Sequence, residues 1–306
     1  MPKWFLQRHL RWLLPSTLLL AALHQPAMAA ITVQDDARQA ITLQKPAQRI
    51  ISLAPSITEL LFAAGAGAKI VGVTDYSDYP PAAASLPRIG SSSLLDLERI
   101  IALQPDLIVI WGESSLTPQI AKLRALGVPV YMSEPRDFES IATALERFGE
   151  LAGTASVAHP AAGHFRSRLK QLRATYAARA PVRLFYQVWK DPLMTLNDQH
   201  LVSDVIRLCG GENIFGKLPT LVPRVGVEAV LKADPEVIVA GSSGEDPKND
   251  WRRFPSLTAV ARGNLITLNS DWMSRAGPRI LDGAQALCKH LDAARAKRAT
   301  ADKSRQ

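Results

Sequence analysis

The chain has 306 residues, 47% apolar and 21% charged, which is the composition of an ordinary globular protein. Its formal charge of +8 is no nucleic-acid signature, because the basic residues form no basic and aromatic recognition motif. About 275 residues follow the N-terminal leader described next, more than one hydrophobic core organises when domains run to ~100 to 200 residues, so two lobes are expected.

Lys3, Arg8 and Arg11 precede an apolar stretch from Trp12 to Leu23, and Ala27-Met28-Ala29 leads into Ala30. This is the pattern of a secretory signal peptide over residues 1–29, cleaved after Ala29. Its apolar core is interrupted by Pro15 and is short of the ~20 residues a membrane span needs. No cysteine near the cleavage site offers a lipid anchor, so a soluble exported protein is expected. The leader holds three basic and no acidic residues, so without it the formal charge falls from +8 to +5.

Along the rest of the chain, Ile50 to Leu53 and Ile70 to Val73 read as strands around a helix from Thr58 to Ala64. Residues 97 to 110, LERIIALQPDLIVI, recur in kind at 227 to 240 as VEAVLKADPEVIVA. In each, a glutamate (Glu98, Glu228) opens a short helix, and a proline (Pro105, Pro235) stops it before a β-branched run. Further strands are expected at Val128 to Met132 and at Leu265 to Leu268. Between the repeats, Phe165, Leu169, Leu172 and Tyr176 mark one face of a helix within Ser156 to Arg179. Arg166, Arg168, Lys170 and Arg173 fall on its solvated side, and Pro160 puts its start near His159. Arg183 to Val188 reads as a strand and Leu201 to Leu208 as a helix ended by Gly210-Gly211. The stretch from Ala293 to Gln306 is expected to fray.

Strands alternating with helices predict an α/β fold: two similar Rossmann-like lobes with largely parallel sheets, joined by one long helix, with a ligand cleft between them. The expected bounds are 1–29 for the leader, 30–153 for the first lobe, 154–180 for the linker helix and 181–306 for the second lobe. Cys209 and Cys288 are an even pair in an exported chain, and a disulfide is expected, with two buried thiols as the alternative.

Catalytic signatures are missing: there is no G-x-S-x-G elbow, no H-E-x-x-H and no Walker loop. His159, His164, His200 and His290 are scattered, so neither catalytic residues nor a metal site are expected. Aromatic and charged groups cluster instead at loops after strands, where α/β sheets bind ligands. These loops carry Asp75-Tyr76-Ser77-Asp78-Tyr79 and Trp111 in the first half. The second half offers Trp189 and Met194, then Ser270, Asp271, Trp272, Met273, Ser274 and Arg275. Rings beside an Asp and an Arg suit a large, partly apolar ligand with polar edges.

ISLAPSITEL (51–60), DYSDYPP (75–81), DLERIIALQPDLIVIW (96–111), CGGENIF (209–215) and SDWMSRAGPRI (270–280) together resemble the helical-backbone class of ABC-importer substrate-binding proteins, in particular its vitamin B12 (cobalamin) branch. The resemblance spans nearly the whole chain from about Arg49. It implies a non-enzymatic, monomeric periplasmic receptor without a cofactor, whose cargo is cobalamin or a related corrinoid. It places Tyr76 against the corrin, Trp111 at the position of a cleft tryptophan, Asp271 and Arg275 within the corrin-contacting loop, and Cys209 and Cys288 on the family's disulfide. It assigns Glu98 and Glu228 to contacts with the permease dimer of an inner-membrane importer. Where similar proteins carry a tryptophan before each glutamate-led helix, this chain has Ser91-Ser92-Ser93 and Val222. Val188 stands at a phenylalanine position, with Trp189 beside it. Those departures leave an incomplete corrinoid, or one with another lower base, among the candidate ligands. A ferric siderophore or haem, with Tyr76 or Tyr186 on iron, is the alternative cargo, and a secreted α/β enzyme using Asp271 and Arg275 is the third reading.

Overall fold

A computed structural model describes residues 30–112, 117–241 and 248–303. The expected leader, 1–29, lies outside the described residues. An antiparallel hairpin, β1 (Ile31–Gln34) with β2 (Ala40–Leu43), precedes the first sheet. Then follow β3 (Ile50–Ser52), α1 (Pro55–Ala63), β4 (Ile70–Val73), α2 (Leu97–Ala102), β5 (Leu107–Trp111), α3 (Thr117–Ala125), β6 (Val130–Ser133) and α4 (Phe138–Ala152). The long helix α5 (Ala155–Tyr176) leads to β7 (Val182–Gln187), α6 (Leu201–Leu208), β8 (Gly211–Asn213), α7 (Val227–Ala233) and β9 (Val237–Gly241). The chain ends in α8 (Lys248–Arg252), α9 (Thr258–Ala261), β10 (Leu265–Leu268), α10 (Ser270–Ser274) and α11 (Ile280–Lys303).

Both sheets are parallel, ordered β4-β3-β5-β6 and β8-β7-β9-β10, so the second lobe repeats the first strand for strand. The repeated sequence segments become α2 with β5 and α7 with β9, which take the same place in each sheet. The inner strands are buried on both faces. Ile50, Ile51 and Ser52 of β3 are all inaccessible, as befits a parallel sheet covered by helices. Among the described residues no helix is long and apolar enough to cross a membrane.

α5 begins at Ala155, four residues before the expected start, with Pro160 inside it. The first turn is held from outside. Thr154 Oγ1 donates to the Ala64 carbonyl at 2.7 Å, and Ala158 is buried where it meets Gly149, on which a Cβ would lie 2.2 Å from the Ala158 Cβ. Those contacts outweigh the one hydrogen bond that Pro160 removes. At 22 residues the helix is about 33 Å long. Phe165, Leu169 and Leu172 are buried on its inner face as expected. Its basic face is not simply solvated: Arg166 bonds Glu139 and Glu146 of α4, and Arg168 pairs with Asp282 at the start of α11.

The tail does not fray at Ala293. It continues as α11 to Lys303 because its basic residues find backbone acceptors. Arg295 donates to the carbonyls of Ala180 (2.6 Å), Cys209 (2.7 Å) and Gly210 (3.1 Å), and Arg298 reaches Pro181 and Glu236. The Cys209–Cys288 disulfide is formed and ties the end of α6 to α11.

Candidate functional site

The loop after β4 turns sharply outward. Tyr76 sits at φ +62° and is 80% exposed, in a backbone region that a bulky residue occupies only when its surroundings hold it there. Arg88 Nη1 holds the loop from below through the carbonyls of Thr74 (3.1 Å) and Ser77 (2.9 Å). From the opposite lobe, Arg275 Nη2 donates to the Tyr76 carbonyl at 3.3 Å.

That arginine is part of a clamp between the lobes. Glu59 lies on the buried face of α1, its side chain 2% exposed. Its carboxylate accepts from Arg275 Nη1 at 3.0 Å and, in a two-pronged contact, from Arg279 Nε at 2.8 Å and Nη2 at 2.5 Å. Arg275 also bonds Asp78 Oδ1 (2.8 Å) and Asp271 Oδ1 (3.1 Å). The Arg279 guanidinium stacks 3.8 Å over the Tyr79 ring, a cation and π contact strengthened by partial desolvation. Desolvation is the largest influence on Arg275 and would lower its pKa, but the hydrogen bonds it donates to Asp78 and Glu59 and the Asp271 charge together raise it. Asp78 responds in kind: burial pulls it up, and the Arg275 contacts outweigh burial to leave it lowered. Both guanidiniums therefore stay charged, and three carboxylates fix their direction.

At the C-terminal ends of β7 and β9 the second lobe carries a pocket of about 300 Å³. Tyr186, Val188, Trp189, His200, Val222, Ser270, Met273 and Ser274 are among its walls. Trp189 is 58% exposed on its rim, and its indole N–H donates to the Asp191 carbonyl at 2.9 Å, which sets the ring's direction. His200 caps α6: its Nδ1 accepts from the Val202 N–H at 3.1 Å. Desolvation lowers its pKa, so it is neutral at pH 7.

Glu98 and Glu228 are exposed in the first turns of α2 and α7. Glu98 does not cap its helix, because Asp96 takes that role by accepting from the Arg99 N–H at 2.9 Å.

Of the expected ligand residues, the structure brings Tyr76, Asp271 and Arg275 together across the lobes, and Trp189, Met273 and Ser274 around one pocket. Met194 is fixed beside Trp189 by paired backbone hydrogen bonds. Trp111 is half-buried at the end of β5 against the main core, and Trp272 is half-buried on α10. Met273 is 2% exposed, its sulfur lying where a Cβ on Gly283 would come within 2.6 Å, so it packs on α11 as well as lining the pocket. Sequence reasoning overlooked Glu59, Arg279 and His200 as site groups, and it placed Asp78 and Ser270 on the cleft loops without giving either a contact. A lone carboxylate on the apolar helix of ISLAPSITEL was the signal for Glu59.

Two like lobes on a helical strut, facing one another across an aromatic-rimmed cleft, define a ligand-capture protein. A model of the periplasmic binding protein family matches residues 50–272, and the chain belongs to that family. It is 40% identical over 243 residues to the vitamin B12-binding protein of Vibrio cholerae, covering 79% of this chain and 88% of the relative. The vitamin B12-binding protein of Yersinia pestis is likewise 40% identical, over 245 residues, with 79% and 85% covered. The crystal structure of the Vibrio cholerae periplasmic vitamin B12 binding protein superposes with a TM-score of 0.76 at 40% identity, over 82% of this chain and 98% of that one. A periplasmic heme-binding protein of Roseiflexus shares the fold, with a TM-score of 0.73 at 22% identity and 81% and 98% covered.

Proposed function

We propose that this protein is a periplasmic receptor that captures cobalamin, or a closely related corrinoid, between its lobes and hands it to an ABC importer of the inner membrane. The observation that carries the reading is the 40% identity to vitamin B12-binding proteins, held over 79% of this chain and 88% of the relative. The site is consistent with it. Tyr76 and Trp189 offer exposed flat rings from opposite lobes, and Asp271, Ser274 and Arg275 supply polar groups between them. Rings bury apolar area while the few polar groups fix orientation. In this reading Trp111, Met194, Trp272 and Met273 support the walls of the cleft. Glu98 and Glu228, one on each lobe, dock on arginines of the two permease subunits, which orients the cleft over the translocation path.

The protein acts by binding, without turnover, as a monomer exported by its leader. Calorimetric titration of the mature protein with cyanocobalamin tests the reading. A stoichiometric heat and a red protein after desalting are expected, with the ligand recovered chemically unchanged. No heat and no retained colour would overturn the assignment.

A further inference from the structure

The second-lobe pocket contains hydrogen-bonding groups that the protein leaves unused. Ser270 Oγ is buried and has no hydrogen-bond partner among the described residues. Tyr186 is 6% exposed, and burial pushes its phenol pKa up with no hydrogen bond to offset it. On His200, the Val202 N–H occupies Nδ1, which places the ring proton of the neutral imidazole on Nε2 and leaves that N–H as a donor. A buried polar group without a partner is costly and uncommon in a native structure. Ser270 Oγ is one, and the Tyr186 hydroxyl and His200 Nε2–H that line the same cavity join it in pointing to a ligand group that completes them.

The chemistry of the walls selects that group. Among the pocket's lining residues none is charged. A carboxylate entering it would lose hydration without meeting a cation, and an ammonium would meet no carboxylate. A neutral carbonyl, by contrast, accepts from the Tyr186, His200 and Ser270 donors, and an amide N–H₂ can return a bond to either hydroxyl. The volume of about 300 Å³ lies at the lower end of small-molecule pockets, which run from ~300 to 1,000 Å³. It fits one arm of a large ligand rather than a whole macrocycle. Val222 stands on the wall, where a larger side chain would fill the space.

We propose that this pocket is a subsite for an uncharged carboxamide arm of the ligand, read by Tyr186, His200 and Ser270. The proposal rests on the corrinoid reading above. Its test is calorimetric titration of the mature protein with cyanocobalamin and with its monocarboxylic acid derivatives, in which one amide arm is hydrolysed. Wild type is expected to bind cyanocobalamin and to discriminate at least tenfold against one of the acids. Tyr186→Phe combined with Ser270→Ala should weaken cyanocobalamin about tenfold or more, as for the loss of two hydrogen bonds, and should narrow that discrimination. If this double variant keeps the wild-type thermal midpoint and binds both ligands as wild type does, the subsite is refuted while the corrinoid reading stands. If wild type binds no cyanocobalamin, both fall.

Discussion

The carboxylate of Glu59 holds the guanidinium of Arg279 through two hydrogen bonds of 2.8 and 2.5 Å, although 220 residues separate them in the chain. Arg275 joins the same carboxylate at 3.0 Å, so one buried acid on the first lobe anchors two cations of the second. Removing one partner of a buried ion pair costs ~3 to 5 kcal/mol, because the remaining charge stays desolvated. The guanidiniums retain 11% and 16% exposure, which moves the expectation to the low end. Glu59→Gln should destabilise by about 3 kcal/mol. Guanidinium chloride unfolding of wild type and variant measures it, and a midpoint within error of wild type would refute the clamp's contribution.

The exposed glutamates behave differently. Reversing both, Glu98→Arg with Glu228→Arg, should change stability by less than ~1 kcal/mol per site, the scale of a helix-dipole contact. Affinity for cyanocobalamin should be preserved and stimulation of the cognate importer's ATPase lost. Normal stimulation by the double variant would remove the docking assignment.

His200 links the pocket to pH. Its folded pKa is lowered from 6.5 by burial, so above that value the ring is neutral in both folded and unfolded chains. As pH falls below 6.5 the unfolded chain takes up a proton that the folded one does not, and stability declines until the folded pKa is passed. His200→Asn keeps a side-chain acceptor for the helix cap. It should flatten the fall in thermal midpoint between pH 7 and 5, and an unchanged slope would exclude His200 as its source.

The disulfide between Cys209 and Cys288 closes a loop spanning 79 residues. In the chain-entropy treatment such a loop contributes about 4.5 kcal/mol through the unfolded state. Cys209→Ser with Cys288→Ser should lose most of that in denaturant unfolding. Wild type in reductant should approach the same midpoint.

Arg295 gathers three carbonyls at the junction of α6, β7 and α11 with its side chain 12% exposed. Arg295→Ala leaves those acceptors without their donor and should cost about 2 to 3 kcal/mol. A shift under a quarter of that would show that α11 is held by its apolar face alone.

What could be read from the sequence was what local chemistry encodes. β4, β10 and α6 occupy the residues predicted for them, because β-branched runs and an amphipathic helix need no distant partner to be recognised. β8 was missed since Gly-Glu-Asn has no strand propensity; it forms by pairing with β7. The first turn of α5 and the last turns of α11 depend on acceptors far away in the chain, the Ala64 carbonyl for one and the Cys209 and Gly210 carbonyls for the other. The site divides in the same way. Asp271 and Arg275 are a local pair four residues apart, visible in the sequence, whereas Glu59 and its arginines are partners only in three dimensions.

The depth of Glu59 separates two electrostatic tasks by their sensitivity to salt. At 0.1 M ionic strength the screening length is ~10 Å in water, and mobile ions weaken contacts they can surround. They can gather around Glu98 and Glu228, which are exposed, but not around a carboxylate left 2% accessible. Changing ionic strength therefore tunes attraction at the two helix tips while the junction between the lobes keeps its grip.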